Sequence, residues 1–281
     1  MEKNAQKYIL ELEYIHELAK LVLQSSCPEE VKRGLSQIVK FYDTTNFQLS
    51  FSMPYFRARK CTSSTGYAST SDIYIPPPKY TDAGRLNEAG KPVLYLCLSM
   101  ATALSEIKAT DGDYVQIGLY EPKDKKLRLG LIGEKIGSIK QSGAYLPIEK
   151  SEHYRKLIDN LNAKDPKLAM AYLYSDGFLN EVLTDPSADS KNYLHSRALT
   201  NLIINKEPFL DGIMYHSLAH SGGMNIALPF ESAQKNIGLG STFVIKVNKK
   251  YKYGLFDYEV VSKGNVCSKS NSVTWEKTNE Y

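Results

Sequence analysis

The sequence predicts an α+β protein, with a helical segment first and a strand-rich domain after it. Two patterns lead to this. In residues 1–48, apolar side chains recur at helical spacing. Beyond them, β-forming residues come in short apolar runs bounded by Gly, Pro and Asn, the length of core strands. The chain has 281 residues, enough for one large domain or a domain with a small appendage. The expected division is a helical extension at 1–48 and a single domain at 49–281.

Composition narrows the classes of function. Thirty-five basic and 31 acidic residues leave a net charge of +4 with no long basic run, so nucleic acid is not an expected partner. The cysteines Cys27, Cys61, Cys97 and Cys267 are far apart and form no CxxC pair. That argues against a disulfide framework or a cysteine-rich metal site and fits a reducing cytoplasm. The first residues carry Glu2, Lys3 and Lys7 without an apolar core, so no signal peptide is expected. The most apolar stretch, Val93 to Leu104, is too short to span a bilayer, and no membrane association is expected.

The elements follow in order. Tyr8, Leu12, Ile15, Leu18 and Val22 mark a first helix, broken at Ser25-Ser26-Cys27-Pro28. A second helix carries Val31, Leu35, Ile38, Val39 and Tyr42 on one stripe, with Pro28, Glu29 and Glu30 suited to its first turn. The stripe is expected to pack on the 49–281 domain; a partner or homo-oligomer surface is the alternative. His16 reads as a surface or half-buried side chain. Gln48-Leu49-Ser50-Phe51 leads into a strand bearing Arg57 and Arg59, which share a face if the strand is regular. Ser/Thr-rich residues 61–70 and Pro76-Pro77-Pro78 form a loop that brings Tyr67 or Tyr74 to the edge of a pocket.

Turn-rich Gly84-Arg85-Leu86-Asn87 and Gly90-Lys91-Pro92 precede a buried strand, Val93 to Leu98. Ser99 is the expected N-cap of a helix that carries Glu106 two turns in, between Leu104 and Ile107. A carboxylate among apolar residues costs free energy to bury unless it is partnered, which makes Glu106 the first candidate for chemistry. Strands are expected at Tyr114 to Tyr120 and Lys126 to Leu131, then a helix at Ser151 to Asn162 capped by Ser151. Lys167 to Leu183 reads as a helix interrupted near Gly177, and Tyr193 to Asn205 as another. His153 and His195 read as solvated or capping. Asp211 to Ser217 is a short strand ending in a serine, and a loop with Gly222-Gly223 leads to a strand from Asn225 to Leu228. His216 and His220 are four apart, but on a strand and a glycine loop they do not form a helical metal pair. Ser217 next to His216 invites a hydrolase reading. Neighbours on a strand point to opposite faces, however, and GxSxG is absent. Thr242 to Val247 and Leu255 to Val261 alternate as strands, and the polar end from Asn265 has Trp275 as its anchor.

Four stretches, in order, resemble the RES domain family, named for an arginine, a glutamate and a serine. They are Phe56-Arg57-Ala58-Arg59; Gly84-Arg85-Leu86-Asn87-Glu88-Ala89-Gly90; Leu94-Tyr95-Leu96-Cys97 followed by Thr102-Ala103-Leu104-Ser105-Glu106; and Asp211 to Ser217. The resemblance spans residues 50–232. Cys97 stands where the family usually has alanine, and Tyr193-Leu194-His195-Ser196-Arg197 where it often has Tyr-x-x-Thr-Gln.

The resemblance implies a fold similar to ADP-ribosyltransferases, a split β-sheet core flanked by helices. It implies a cytoplasmic enzyme that degrades NAD by hydrolysis or phosphorolysis, typically the toxin of a bacterial pair with an Xre-like antitoxin as partner. NAD is then a substrate, no cofactor or metal is called for, and the missing GxGxxG fingerprint agrees. Cleaving the nicotinamide–ribose bond develops oxocarbenium character that a carboxylate stabilises. The implied catalytic residues are Arg57 on the phosphates, Glu106 at the ribose and Ser217 beside it; Arg57 rather than Arg59 is the arginine favoured. Arg59, Tyr67, Arg85, Asn87 and Ser196 are the implied substrate-binding set, although the turn could equally need Arg85 and Asn87 for internal hydrogen bonds. Two alternatives remain at this point. One is a mono-ADP-ribosyltransferase acting on a specific protein. The other is a non-catalytic interaction module in which Arg57 and Glu106 form a structural ion pair.

Overall fold

A computed structural model of the chain describes residues 11–49, 54–123, 126–140, 148–267 and 270–278. Tyr8, Ser50 and Phe51, used above, lie outside them. Among the described residues are eight α-helices and ten strands, an α+β protein with a helical N-terminus. The chain falls into two compact units. One gathers residues 1–47, 83–88 and 130–210; the other gathers 48–82, 89–129 and 211–281. The unit break at 47/48 lies beside the expected 48/49 boundary, but residues 130–210 belong with the N-terminal helices.

The first unit is helical. In α1 (Leu12–Gln24) and α2 (Pro28–Phe41) the apolar positions read from the sequence are the buried ones: Ile15, Leu18 and Val22, then Val31, Leu35, Ile38 and Val39. The stripe is used within the chain, because α1 packs on α6 (Pro166–Leu183) and α2 on α7 (Leu194–Lys206). In the same unit α4 (Glu134–Lys140) and α5 (Ile148–Lys164) pack on each other and on α6. Three expectations are corrected here. Helix α5 begins three residues early, so Ser151 is a buried internal residue and not a cap. Helix α6 runs unbroken through Gly177, where a Cβ would meet Ile136 only at 3.8 Å. His195 is buried, its Nε2 bonded to the Val22 carbonyl at 2.8 Å, which ties α7 to α1. His16, at the surface, bonds Tyr174.

A buried polar cluster organises this unit. Asp176 of α6 accepts from the Tyr42 hydroxyl at 2.6 Å and from the amides of Gly133 and Ile136 at 3.2 and 2.9 Å. Lys135 donates to the Asp43 carbonyl and lies over the Tyr42 and Tyr172 rings at 4.3 and 4.6 Å. Burial holds its pKa below the ordinary lysine value, and Asp176 pulls it back up.

The strands are β1 (Thr45–Leu49), β2 (Tyr55–Cys61), β3 (Val93–Cys97), β4 (Tyr114–Pro122), β5 (Leu127–Leu131), β6 (Gly212–His216), β7 (Met224–Pro229), β8 (Ile237–Lys250), β9 (Phe256–Cys267) and β10 (Ser272–Lys277). Their order is β1-β5-β6-β7-β3-β2-β4-β8-β9-β10, and the eight from β6 to β10 lie wholly in the second unit. Every pairing among those eight is antiparallel. The joint between β3 and β2 differs from the rest. A single register pair, Phe56↔Cys97, links the lobe β6-β7-β3 to the lobe β2-β4-β8-β9-β10, whereas β2 and β4 pair over seven residues. The expected split core is therefore one sheet with a seam. Helix α3 (Met100–Glu106) packs on the seam, burying Ala103 and Leu104 against Ala58, Cys97, Val115, Ile117, Ile245 and Val247. Helix α8 (Phe230–Asn236) joins β7 to β8. Past Asn265 the chain continues as strand: Ser272–Lys277 pairs with β9, with Trp275 wedged at Gly66 and Gly264 and its Nε1 donating to the Tyr67 carbonyl at 3.2 Å.

Candidate active site

Strand β3 is buried on both sides, as its apolar run requires, and ends at Cys97. Ser99 caps α3 by accepting from the Thr102 amide at 3.2 Å. The helix has only seven residues, so Glu106 is its last residue and is exposed, not buried among Leu104 and Ile107 as expected. Its charge still reaches water, so burial is not what its partners offset. They orient it. The Ser217 hydroxyl donates to Oε1 at 2.7 Å, and the Asn225 amide Nδ2 donates to the same oxygen at 2.5 Å. Oε2 has no hydrogen-bond partner among the described residues.

Both donors are placed by sheet register. Asn225 on β7 sits opposite Cys97 on β3 and Tyr215 on β6. Ser217 follows β6, its own amide bonded to the Gly223 carbonyl at 2.9 Å. The Cys97 thiol donates to Asn225 Oδ1 at 3.2 Å, which leaves Nδ2 turned to Glu106. Burial pushes that thiol up to about 12, Glu106 adds to the rise and Arg57 opposes it. The thiol thus stays a donor at neutral pH and feels both charges of the site. Asn225 was not singled out in the sequence; one amide in an apolar run carries no signal until register is known.

Arg57 is half-buried on β2, and burial lowers its pKa. Strand alternation turns it away from the face where Ala58 packs under α3. Its Nη1 donates to the Tyr95 carbonyl at 3.2 Å across the seam, while its buried Nε has no partner. Among the described residues no ion pair joins Arg57 to Glu106 or to any other carboxylate. A half-buried cation with a buried, unsatisfied N–H fits an anionic group supplied from outside.

The family model of the RES domain matches residues 54–242, about two thirds of the chain. The chain belongs to the RES domain family. No curated protein and no solved structure matches it.

Arg57, Glu106 and Ser217, expected from the sequence as the site's arginine, glutamate and serine, lie within one unit, and Glu106 and Ser217 are in direct contact. The other residues proposed for the RES domain's substrate are placed differently. Arg59 is exposed; it bonds the Asp72 carbonyl, pairs with its carboxylate at 3.7 Å and lies over the Tyr67 ring at 4.2 Å. Tyr67 is fixed by Gln116 Oε1, which accepts from its amide at 2.7 Å, and by its hydroxyl on the Lys60 carbonyl at 2.8 Å. Both are committed to anchoring the loop. Arg85, Asn87 and Ser196 belong to the helical unit. Arg85 donates to the Leu183 and Asp185 carbonyls at 3.0 and 2.9 Å, neutralising the C-terminus of α6. Asn87 is buried and donates to the Glu88 carbonyl; Glu88 in turn accepts from Arg197 and Asn201. Ser196 is 1% exposed and donates to the Tyr193 carbonyl at 3.2 Å. For Arg85 and Asn87 these are the internal hydrogen bonds that stood as the alternative to a substrate-facing role, and Ser196 is bonded internally as well. His216 is half-buried at the end of β6. Among the described residues no group of three or more His, Cys, Asp and Glu could hold a metal, and no helix is long and apolar enough to cross a membrane.

Proposed function

We propose that this RES-domain protein cleaves the nicotinamide–ribose bond of NAD and passes ADP-ribose to water or phosphate. The observation that carries the reading is the exposed Glu106 carboxylate, oriented by two donors on one oxygen, with the other oxygen unpartnered among the described residues. In the reaction, the C1′–N bond breaks and its electron pair goes to the nicotinamide ring, which leaves neutral. The ribose takes up positive charge that Oε2 of Glu106 stabilises, either directly or by holding a ribose hydroxyl. The acceptor's oxygen then bonds to C1′ as its proton departs. Arg57 holds the pyrophosphate, and Ser217 keeps Glu106 in position beside the ribose. Nicotinamide is already a good leaving group, so no general acid is needed, and NAD is substrate rather than cofactor.

Ser217 does not support the serine-hydrolase alternative, because its hydroxyl donates to the Glu106 carboxylate and not to an imidazole, and His220 meets it only through its main-chain amide. The structural ion pair required by a non-catalytic module is not formed among the described residues. A role as the toxin of a bacterial pair, acting in the cytoplasm and restrained by an Xre-like antitoxin, rests on family resemblance and belongs to the same proposal.

The test is NAD consumption by the purified protein, with and without phosphate, with products separated by mass. Free nicotinamide with ADP-ribose, or with its 1″-phosphate, is the expected result. Glu106→Gln is expected to lower turnover by about 100-fold or more while the protein stays folded. Intact NAD with wild-type protein overturns the proposal. Label transferred to protein in a lysate redirects it to mono-ADP-ribosylation.

A further inference from the structure

His220 is used by none of the steps above, yet its surroundings are built around it. Its amide donates to Ser217 Oγ at 3.0 Å. Its ring Nδ1 bonds the Thr102 hydroxyl at 2.8 Å, and that hydroxyl bonds Ser99 Oγ, the cap of α3, at 2.8 Å. Thr102 is fully buried in the first turn of the helix that ends in Glu106. One residue thus ties the serine loop through its main chain and the glutamate helix through its side chain.

Two glycines make the slot for this ring. A Cβ at Gly254 would lie 2.5 Å from His220 Cδ2 and 2.6 Å from Nε2. A Cβ at Gly223 would lie 3.0 Å from His220 Nδ1 and 2.6 Å from Thr102 Oγ1. Gly254 comes from the turn between β8 and β9, far from the loop in sequence, and Gly223 closes the loop by accepting from the Ser217 amide and donating to the His220 carbonyl at 2.9 Å. The neighbours that could relax around a misplaced ring are therefore backbone.

We propose that His220 is a positioning residue that cross-braces Ser217 to helix α3 and so fixes the angle at which Glu106 presents its open oxygen. The proposal rests on the reading of Glu106 given above. Without the brace, the Ser217–Glu106 bond is the side-chain tie left between the serine loop and the end of helix α3, and Asn225 alone holds Glu106 from the sheet. The bond then survives in a spread of geometries, few of them productive.

Two pairs of variants test this. Asn places an oxygen near the position of imidazole Nδ1, so His220→Asn is expected to keep most of the activity. His220→Leu, close in size but without a polar atom, is expected to lower kcat about tenfold or more with little change in KM. Likewise Thr102→Ser is expected to be near neutral and Thr102→Val to match His220→Leu. A purely structural role for His220 would lower the melting temperature in His220→Leu and Thr102→Val and leave kcat per folded molecule unchanged; that outcome overturns the proposal. Hydrogen exchange of the His220 amide gives a readout independent of NAD. Its protection is expected to fall in Thr102→Val and be retained in Thr102→Ser. If wild-type protein leaves NAD intact, the functional reading fails while exchange still decides whether the brace exists. If turnover is present and the amide is indifferent to Thr102, the brace alone fails.

Discussion

Glu106 and Arg57 solve opposite problems. The carboxylate is exposed, so its two donors cost little desolvation and are spent on direction. The guanidinium is half-buried with an unpaired Nε, so it carries an uncompensated cost that a ligand anion would relieve. Replacing Arg57 by Met should therefore raise KM for NAD about tenfold or more while leaving the melting temperature equal or higher, a split that steady-state kinetics and calorimetry read separately. Asn225→Asp makes a complementary case. It exchanges the donor 2.5 Å from Glu106 for a second carboxylate, and two carboxylates so close resist joint ionisation. The new carboxylate repels Glu106 instead of orienting it, so turnover is expected to fall about tenfold or more while the protein stays folded, as steady-state kinetics and calorimetry read. The sequence shows Glu106 and Ser217 because both close recognisable motifs. It hides Asn225 and His220 because each acts through a partner on another strand or helix, Asn225 through the Cys97↔Asn225 register and His220 through Thr102.

At the scale of elements, Asp176 does for α4 what Ser99 does for α3. It reaches from α6 to the amides of Gly133 and Ile136 and caps a helix whose own preceding residue, Gly133, has no side chain to do so. Asp176→Ala would leave those amides and the Tyr42 hydroxyl short of a partner and remove a negative charge that favours the buried Lys135 ammonium. A loss of about 3 kcal/mol, read as a lower urea midpoint, is expected. Helices α1 and α2 could be read at once, since their buried positions are those that the 3.6-residue period selects. Strand β10 could not, because only Val273 and Trp275 mark its inner face among Ser272, Thr274, Glu276 and Lys277. Gly177 misleads for a different reason. Helix propensity penalises glycine, but α6 is held by packing against α1, α4 and α5. Trp275, the only tryptophan, packs over Gly66, so Trp275→Ala should destabilise the sheet by about 2–3 kcal/mol and loosen the loop that bears Tyr67.

At the scale of the whole molecule, both units bury phenols. Tyr42 and Tyr172 in one and Tyr55 and Tyr120 in the other have pKa values raised by burial, Tyr55 to about 12 and Tyr42 well above the ordinary 10.0, with Asp176 adding to the latter. A folded-state pKa above the unfolded value means that the stabilisation is complete below pH 10 and is lost as pH rises through the folded values. The protein is thus expected to unfold cooperatively above pH 10, with tyrosinate absorbance and loss of ellipticity rising together. Early, separate ionisation of all the tyrosines would contradict it. The α+β class could be read from periodicity, but the grouping of 83–88 and 130–210 with the N-terminal helices could not, because those segments meet only through non-local packing. The seam has a mechanical meaning as well. Parting β3 from β2 forfeits one register pair, about 1–2 kcal/mol of backbone bonding, where parting β2 from β4 forfeits a full ladder. Backbone pairing of the sheet is therefore weakest along that line, where α3 packs over it. A ligand gripped by Arg57 on one lip and Glu106 on the other would act as a staple across it, so occupancy should slow amide exchange at Phe56 and Cys97 far more than at Ile117 or Val244.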